Sequence, residues 1–146
     1  MNTKNVGYWA LTGISAAALL AGGAGDLSRA PAVAAGIAHL GYPLYLASIL
    51  GVWKILGAAA LLAPRFPRLK EWAYAGILFD LTGAALSHGI SGDGLGNVAT
   101  PLILLGLAMG SWALRPETRR LAAATTPHTE KRAGGLGVHP RAVEQT

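Results

Sequence analysis

Four long apolar segments separated by short polar stretches dominate the chain, at residues 6–24, 44–63, 72–88 and 98–114. Each has about the 17 to 25 residues that a helix needs to cross a bilayer. Arg115-Pro116 ends the last segment, because proline cannot continue a helix without the loss of a hydrogen bond. The pattern predicts an all-α membrane protein, in which residues 1–115 form an antiparallel bundle of four transmembrane helices. Residues 116–146 lack helical periodicity, and we expect a disordered cytoplasmic tail there.

The first apolar segment also has features of a cleaved signal peptide, since Lys4 precedes it and the small residues AGGA at 21–24 end it. Its apolar run, however, outlasts the usual signal core of about 7 to 15 residues. Thr12 and Ser15 also interrupt it. We therefore expect the first span to be retained, with cleavage as the alternative.

The composition narrows the range of functions. The chain has 52% hydrophobic residues, a mean hydropathy of +0.41 and no cysteine. The absence of cysteine excludes disulfides, thiolate metal sites and a dithiol relay. The sequence also lacks a haem-ligand pattern, a flavin fingerprint and iron–sulfur spacing, so no cofactor of its own is evident.

The net charge of +5 is strongly sorted along the chain. Lys and Arg residues lie before the first segment, in the 64–70 connection and after the fourth segment, whereas the first connection holds only Arg29 and the third holds none. Positive residues that flank membrane helices accumulate on the cytoplasmic side. We therefore expect cytoplasmic N- and C-termini and outward loops at 26–42 and 89–97. Because membrane insertion alone accounts for this bias, the lipid bilayer is the expected partner, and nucleic acid is not.

Two opposite charges lie in the middle of apolar segments, Lys54 in the second and Asp80 in the third. Such residues are costly in a bilayer and normally face the bundle interior with a partner. Each lies nine residues from the connection that joins the two segments, at Ala63 and Glu71, which corresponds to about 13 Å of helix. We expect the two side chains to meet at this depth. The other polar residues predicted to share the interior site are Thr12, Ser15 and Ser87.

Two interpretations of this predicted pair remain open. A buried ion pair can fix the register of two helices without doing any chemistry. Alternatively, the charges can form the polar floor of a cavity that opens outward and binds a polar headgroup or moves a proton.

A second group of polar residues is expected near the outer ends of the helices. This predicted outer mouth comprises Asp26, His39, Tyr42, Tyr45, His88 and Asp93. Histidine changes its charge most readily near neutral pH. Two imidazoles and two carboxylates are ligand types that zinc accepts, but their spacing matches no metal signature, so no metal is predicted.

Several motifs in order resemble the DoxX-like family of small bacterial membrane proteins. They are GYPLY at 41–45, LGVWKILG at 50–57, LLAPR at 61–65, KEWAYAG at 70–76, GA at 83–84 and SH at 87–88. The resemblance covers residues 8–116 and implies four transmembrane helices in the bacterial plasma (inner) membrane. It carries over onto Lys54 with Gly51 and Gly57, onto Tyr42-Pro43 and onto Ser87-His88. Relatives are associated with thiosulfate:quinone oxidoreductase or with oxidative-stress assemblies, which implies a quinone ligand and a membrane redox partner subunit.

From these observations we expect a small binding or accessory subunit with a polar intramembrane pocket for an amphipathic molecule such as a quinone. One alternative is an enzyme that transfers protons on a lipid-soluble substrate. Another is a purely structural helper within a membrane complex, and a homo-oligomer also stays open.

Overall fold

The fold is all-helical over residues 3–121, the part of the chain that this computed structural model describes. Its elements are α1 (Thr3–Leu27), α2 (Pro31–His39), α3 (Tyr45–Leu62), α4 (Pro67–Ile90), α5 (Leu95–Ala113) and a 3-10 helix (Glu117–Arg119). Within this range, α1, α3 and α5 are long and apolar enough to cross a membrane.

The predicted fourth span at 72–88 lies inside α4, which is 24 residues long. α4 is not among the helices that qualify as membrane spans by length and composition. Its polar residues, among them Lys70, Glu71 and Asp80, reduce its hydropathy. The sequence therefore located this helix correctly, while its crossing of the membrane stays a prediction.

The predicted outer loop at 26–42 is instead largely helical. α1 continues through Asp26 to Leu27, and α2 occupies nine residues of the segment. Pro31 begins α2 at a position where its missing N–H costs nothing, and the following alanines favour a helix. The loop prediction was wrong because polar residues occupy only the short connection after α1, while the segment from Pro31 onward is rich in alanine and forms a helix.

The four long helices form a ring in the order α1, α3, α4, α5. α1 packs most extensively on α3, α4 packs on α5, and α1 also contacts α5, whereas α3 and α4 contact each other less. The core between them is built from small and aliphatic residues with one tyrosine: Ala16, Leu19, Ala58, Leu61, Tyr74, Ile77 and Ala108. Large apolar side chains are exposed on the outside of the ring, among them Trp53, Trp72, Phe79, Leu86, Ile90 and Ile103.

The predicted tail begins with ordered residues. Residues 117–119 form the 3-10 helix, and Arg119 Nη1 donates to the hydroxyl of Tyr8 over 3.3 Å. Arg120 Nε donates to the carbonyl oxygen of Arg115 over 2.8 Å. These contacts hold the chain against the end of α1 and α5 as far as residue 121. The remainder of the predicted disordered tail, residues 122–146, lies outside the described residues.

Candidate functional site

A close approach of α1 and α3 builds the interior site. An added Cβ at Gly51 would lie 2.9 Å from the carbonyl oxygen of Gly23 and 2.8 Å from Leu27 Cγ. An added Cβ at Gly23 would lie 3.0 Å from the carbonyl oxygen of Gly51. Two helix backbones approach this closely only where side chains are minimal. Asp26 and Lys54 each follow one of these glycines by three residues, and so they project from the same faces one turn further on.

The sequence predicted an ion pair between Lys54 and Asp80. In the structure, Lys54 forms its ion pair with Asp26 instead. Lys54 Nζ donates to Asp26 Oδ2 over 2.8 Å, and the two side chains are 23% and 10% exposed. Asp26, which the sequence placed at the outer mouth, is therefore a buried residue in the last turns of α1. The prediction was wrong because the glycine contact joins α3 to α1, while α3 and α4 stand further apart.

A cavity of about 370 Å³ separates α3 from α4 and holds Lys54 and Asp80 in its wall. The other residues that line it are almost all apolar or glycine: Leu19, Leu50, Trp53, Leu56, Gly57, Ala60, Leu69, Trp72, Ala73, Gly76 and Ile77. Its volume is within the range of small-molecule sites, about 300 to 1,000 Å³. The two charges that the sequence singled out thus share a cavity without forming an ion pair with each other.

A second cavity, of about 130 Å³, lies between α1, α3, α4 and α5. It is lined by Ser15, Ala18, Leu19, Gly22, Lys54, Ile77, Asp80, Leu81, Leu104 and Ala108. Ser15 is buried, and its Oγ has no hydrogen-bond partner. A buried hydroxyl without a partner costs free energy, so this position favours a polar group that enters the cavity. Ser15 thus lines the same small cavity as Lys54 and Asp80.

Thr12 and Ser87, two further residues of the predicted interior site, belong to other clusters. Thr12 Oγ1 donates to the carbonyl oxygen of Tyr8 and lies 2.7 Å from Ser111 Oγ, which lies 2.8 Å from the hydroxyl of Tyr74. Ser87 Oγ lies 2.9 Å from the hydroxyl of Tyr42 near the other end of the helices. Neither residue lines the two cavities.

The histidine cluster consists of His39, His88 and Asp93, which the sequence had assigned to one mouth. His88 Nδ1 lies 2.6 Å from Asp93 Oδ2, and His39 Nε2 lies 2.7 Å from Asp93 Oδ1. Gly92 makes this possible, since its φ of +74° ends α4 with a tight turn that returns Asp93 N to the carbonyl oxygen of His88. The hydrogen bonds from His88 and His39 hold the pKa of the Asp93 carboxyl below its usual value.

The cluster ties α2 to the connection between α4 and α5, but it includes neither Asp26 nor Tyr45. Tyr45 is 63% exposed at the start of α3. Within residues 3–121, no group of three or more His, Asp or Glu side chains is arranged to hold a metal ion. The cluster therefore connects helix ends. It contains three of the six residues that were predicted for the outer mouth.

Sequence reasoning missed a network at the opposite end of the helices. Arg115 Nη1 donates to Glu71 Oε1 over 2.8 Å, and Trp112 Nε1 donates to the other carboxylate oxygen over 3.0 Å. Lys70 Nζ donates to the carbonyl oxygens of Ala60 and Leu61 and so satisfies acceptors at the end of α3. These bonds join the beginning of α4 to the ends of α3 and α5. The available sign was Arg115, three residues after Trp112 at the end of α5, but this spacing does not specify the acceptor.

The arrangement can bind an elongated molecule of mixed polarity. The larger cavity offers apolar walls for a tail, and the carboxyl of Asp80 and the ammonium of Lys54 mark its polar side. The fold and this interior site define an all-α protein whose long apolar helices have the dimensions of membrane spans.

The profile of the DoxX-like family matches residues 10–111, well over half of the chain. The chain belongs to the DoxX-like family. A search of curated proteins and a search of solved structures each found no match.

Proposed function

We propose that this protein crosses the membrane four times and binds a lipid-soluble amphipathic molecule in the cavity between α3 and α4. The observation that carries the proposal is the cavity itself, with its apolar walls and with Lys54 and Asp80 at one side. Ligand sites usually combine such apolar walls with a few polar groups that orient the ligand. The exposed positions of Trp53 and Trp72 along this cavity favour entrance of the ligand sideways from the lipid.

Three observations favour α4 as the fourth span. Its 24 residues correspond to about 36 Å of helix, longer than the roughly 30 Å of a bilayer core. Its contacts through Lys70 and Glu71 at one end place that end beside the last residues of α3 and α5. Phe79 and Leu86 on its outer face are 73% and 66% exposed, as expected for side chains that contact lipid.

The orientation follows from the charge distribution. Arg68, Arg115 and Arg119 are near one end of the helices, whereas Arg29 is near the other. By the positive-inside rule the arginine-rich end faces the cytoplasm, in the plasma (inner) membrane of a bacterium. The histidine cluster then faces outward.

Membership of the DoxX-like family favours a quinone as the ligand and a membrane redox system as the setting. The chain has no cysteine, so electrons would pass through the ligand or a partner subunit. We therefore propose a binding or accessory subunit that holds a quinone for a membrane redox partner.

The test compares two glycine replacements on α4. An added Cβ meets no atom within 4 Å at either Gly76 or Gly83, but only Gly76 lines the cavity. Gly76→Leu should fill the cavity, and Gly83→Leu is the matched control on the same helix. Binding of decylubiquinone, and of its reduced form decylubiquinol, to protein in lipid nanodiscs is measured by isothermal titration calorimetry, with the heat of empty nanodiscs subtracted.

We expect Gly76→Leu to weaken decylubiquinone binding at least tenfold and Gly83→Leu to leave it unchanged. Equal binding by both variants would remove the cavity as the site. If the wild-type protein binds neither decylubiquinone nor decylubiquinol beyond empty nanodiscs, binding of a quinone couple is refuted and a structural role within a complex becomes the better explanation.

A further inference from the structure

The two cavities are adjacent, and together they offer a ligand a wide part and a narrow part. They share four lining residues: Leu19, Lys54, Ile77 and Asp80. The wide part, about 370 Å³, is open between α3 and α4, and the narrow part, about 130 Å³, lies between all four long helices. A cavity of roughly 150 Å³ can hold one benzene ring. The narrow part therefore suits a head of about one ring, and the wide part suits its apolar tail.

The polar groups around the narrow part differ in what they can still bond. Lys54 Nζ already donates to Asp26 Oδ2, which leaves two of its three N–H donors. Asp80 forms no hydrogen bond or ion pair with any side chain in residues 3–121. Ser15 Oγ is buried and also without a partner. A ligand head thus meets a carboxyl group, a hydroxyl group and an ammonium group.

These three groups together select the chemistry of the head. An ionised carboxylate only accepts hydrogen bonds, and a protonated carboxyl still accepts through its carbonyl oxygen, so Asp80 accepts a hydrogen bond in either state. Lys54 only donates, and Ser15 does both. A head that is only an acceptor, such as an ether or a quinone carbonyl, gives nothing to an ionised Asp80 and can bond only to a protonated one, whereas a hydroxyl head bonds to Asp80 in either state. An alkylammonium head gives nothing to Lys54.

We propose that the site selects a lipid-soluble molecule with a hydroxyl head, phenolic or quinol, whose O–H donates to Asp80 while its oxygen accepts from Lys54 or Ser15. This inference rests on the proposed ligand cavity and adds the chemical class of the head. For a quinone couple, it means that the reduced, hydroxyl-bearing form binds more tightly than the oxidised form.

The experiment uses three probes with the same octyl tail: 4-octylphenol, 4-octylanisole and octylamine. 4-Octylanisole has a methyl ether in place of the phenol O–H, and octylamine presents an ammonium. Binding to the protein in nanodiscs is measured by titration calorimetry against empty nanodiscs. The variants are Asp80→Asn, Ser15→Ala and, as a matched carboxyl-to-amide control outside both cavities, Asp93→Asn.

We expect wild-type protein to bind 4-octylphenol at least tenfold more tightly than 4-octylanisole, which is about 1.4 kcal/mol. Asp80→Asn should reduce this ratio below threefold, because the amide can donate to the ether oxygen as well as accept from the phenol. Asp93→Asn should preserve the ratio. Ser15→Ala should weaken 4-octylphenol binding. This variant tests the same site independently if Asp80→Asn does not fold.

Three results would overturn the inference, and each has a different meaning. Equal affinities for 4-octylphenol and 4-octylanisole would refute selection of a donor while the cavity stands. Tighter binding of octylamine than of 4-octylphenol would identify an ammonium head. If none of the probes binds, the proposed function, ligand binding in the cavity between α3 and α4, is refuted as well.

Discussion

The ion pair between Asp26 and Lys54 gives the sharpest test of how α1 packs on α3. Lys54→Met retains the length of the side chain without its charge, and Asp26→Asn retains the shape of the carboxyl group without its charge. Together with the double variant they form a double-mutant cycle. A second cycle, of Lys54→Met with Asp80→Asn, tests the partner that sequence depth alone suggested.

The magnitude follows from the burial of the pair. Loss of one partner of a buried ion pair costs about 3 to 5 kcal/mol, because the other charge stays buried without compensation. Lys54→Met leaves the Asp26 carboxylate without its partner, and that side chain is only 10% exposed. We therefore expect a cost of about 3 kcal/mol or more for Lys54→Met, and a coupling with Asp26 of about 2 to 3 kcal/mol.

The assay is the free energy of unfolding in mild detergent, measured by steric trapping for all variants. The coupling between Lys54 and Asp80 should be clearly smaller than that between Lys54 and Asp26, since only Asp26 bonds to the ammonium. Additive effects of Lys54→Met and Asp26→Asn would refute the ion pair. A larger coupling with Asp80 would restore the pairing that depth suggested.

Three further predictions concern the helix contact, the histidine cluster and the topology. Gly51→Ala should destabilise the protein by about 1 to 3 kcal/mol through overpacking. Gly106→Ala should not, because an added Cβ there meets nothing within 4 Å. Equal melting temperatures of the two variants would contradict the close contact. Hydrogen bonds from His88 and His39 lower the pKa of Asp93 in the folded protein. They should therefore stabilise the folded protein at pH values above the ordinary carboxyl pKa of about 3.9, and this stabilisation should disappear as the pH falls through the lowered pKa. Melting curves from pH 7 to 3 should therefore show an advantage of wild type over Asp93→Asn that shrinks toward the acidic end; an advantage of the same size at both ends would refute it. Reporter fusions should report cytoplasm after Arg68 and the outside near Asp93, and the reverse result would overturn the charge argument.

The positions of the long helices could be read from the sequence because apolar composition determines them. All four predicted spans overlap a helix, and three of these helices have the length and composition of membrane spans. Depth within a span could be read for some residues, since each residue adds a fixed rise, but not for Asp26, which pairs with Lys54. Lys54, Asp80 and Ser15 accordingly line one narrow cavity.

The sequence did not show which side chains pair with each other at a given depth, because the pairing depends on which two helices approach most closely. The sequence offers small residues on every long helix, and around Asp80 they include Gly76 and Gly83, where an added Cβ would meet nothing within 4 Å. The close contact instead lies at Gly23 and Gly51. Such a contact is a property of two backbones, and a periodic pattern on one helix does not determine its partner.

The short helix α2 and the arginine network were missed for different reasons. The start of α2 had a sign in Pro31, which is favourable at the first position of a helix. The bond of Arg115 to Glu71 joins residues 44 positions apart, and no local pattern relates them. Long-range hydrogen bonds of this kind become visible only in the folded protein.

The most direct test of the central claim is native mass spectrometry of the protein taken from its expression membrane in lipid nanodiscs. We expect a discrete small-molecule adduct on wild-type protein and on Gly83→Leu, and no adduct on Gly76→Leu, in which the cavity is filled. Wild-type protein without an adduct, or the same adduct on all three proteins, would contradict the central claim.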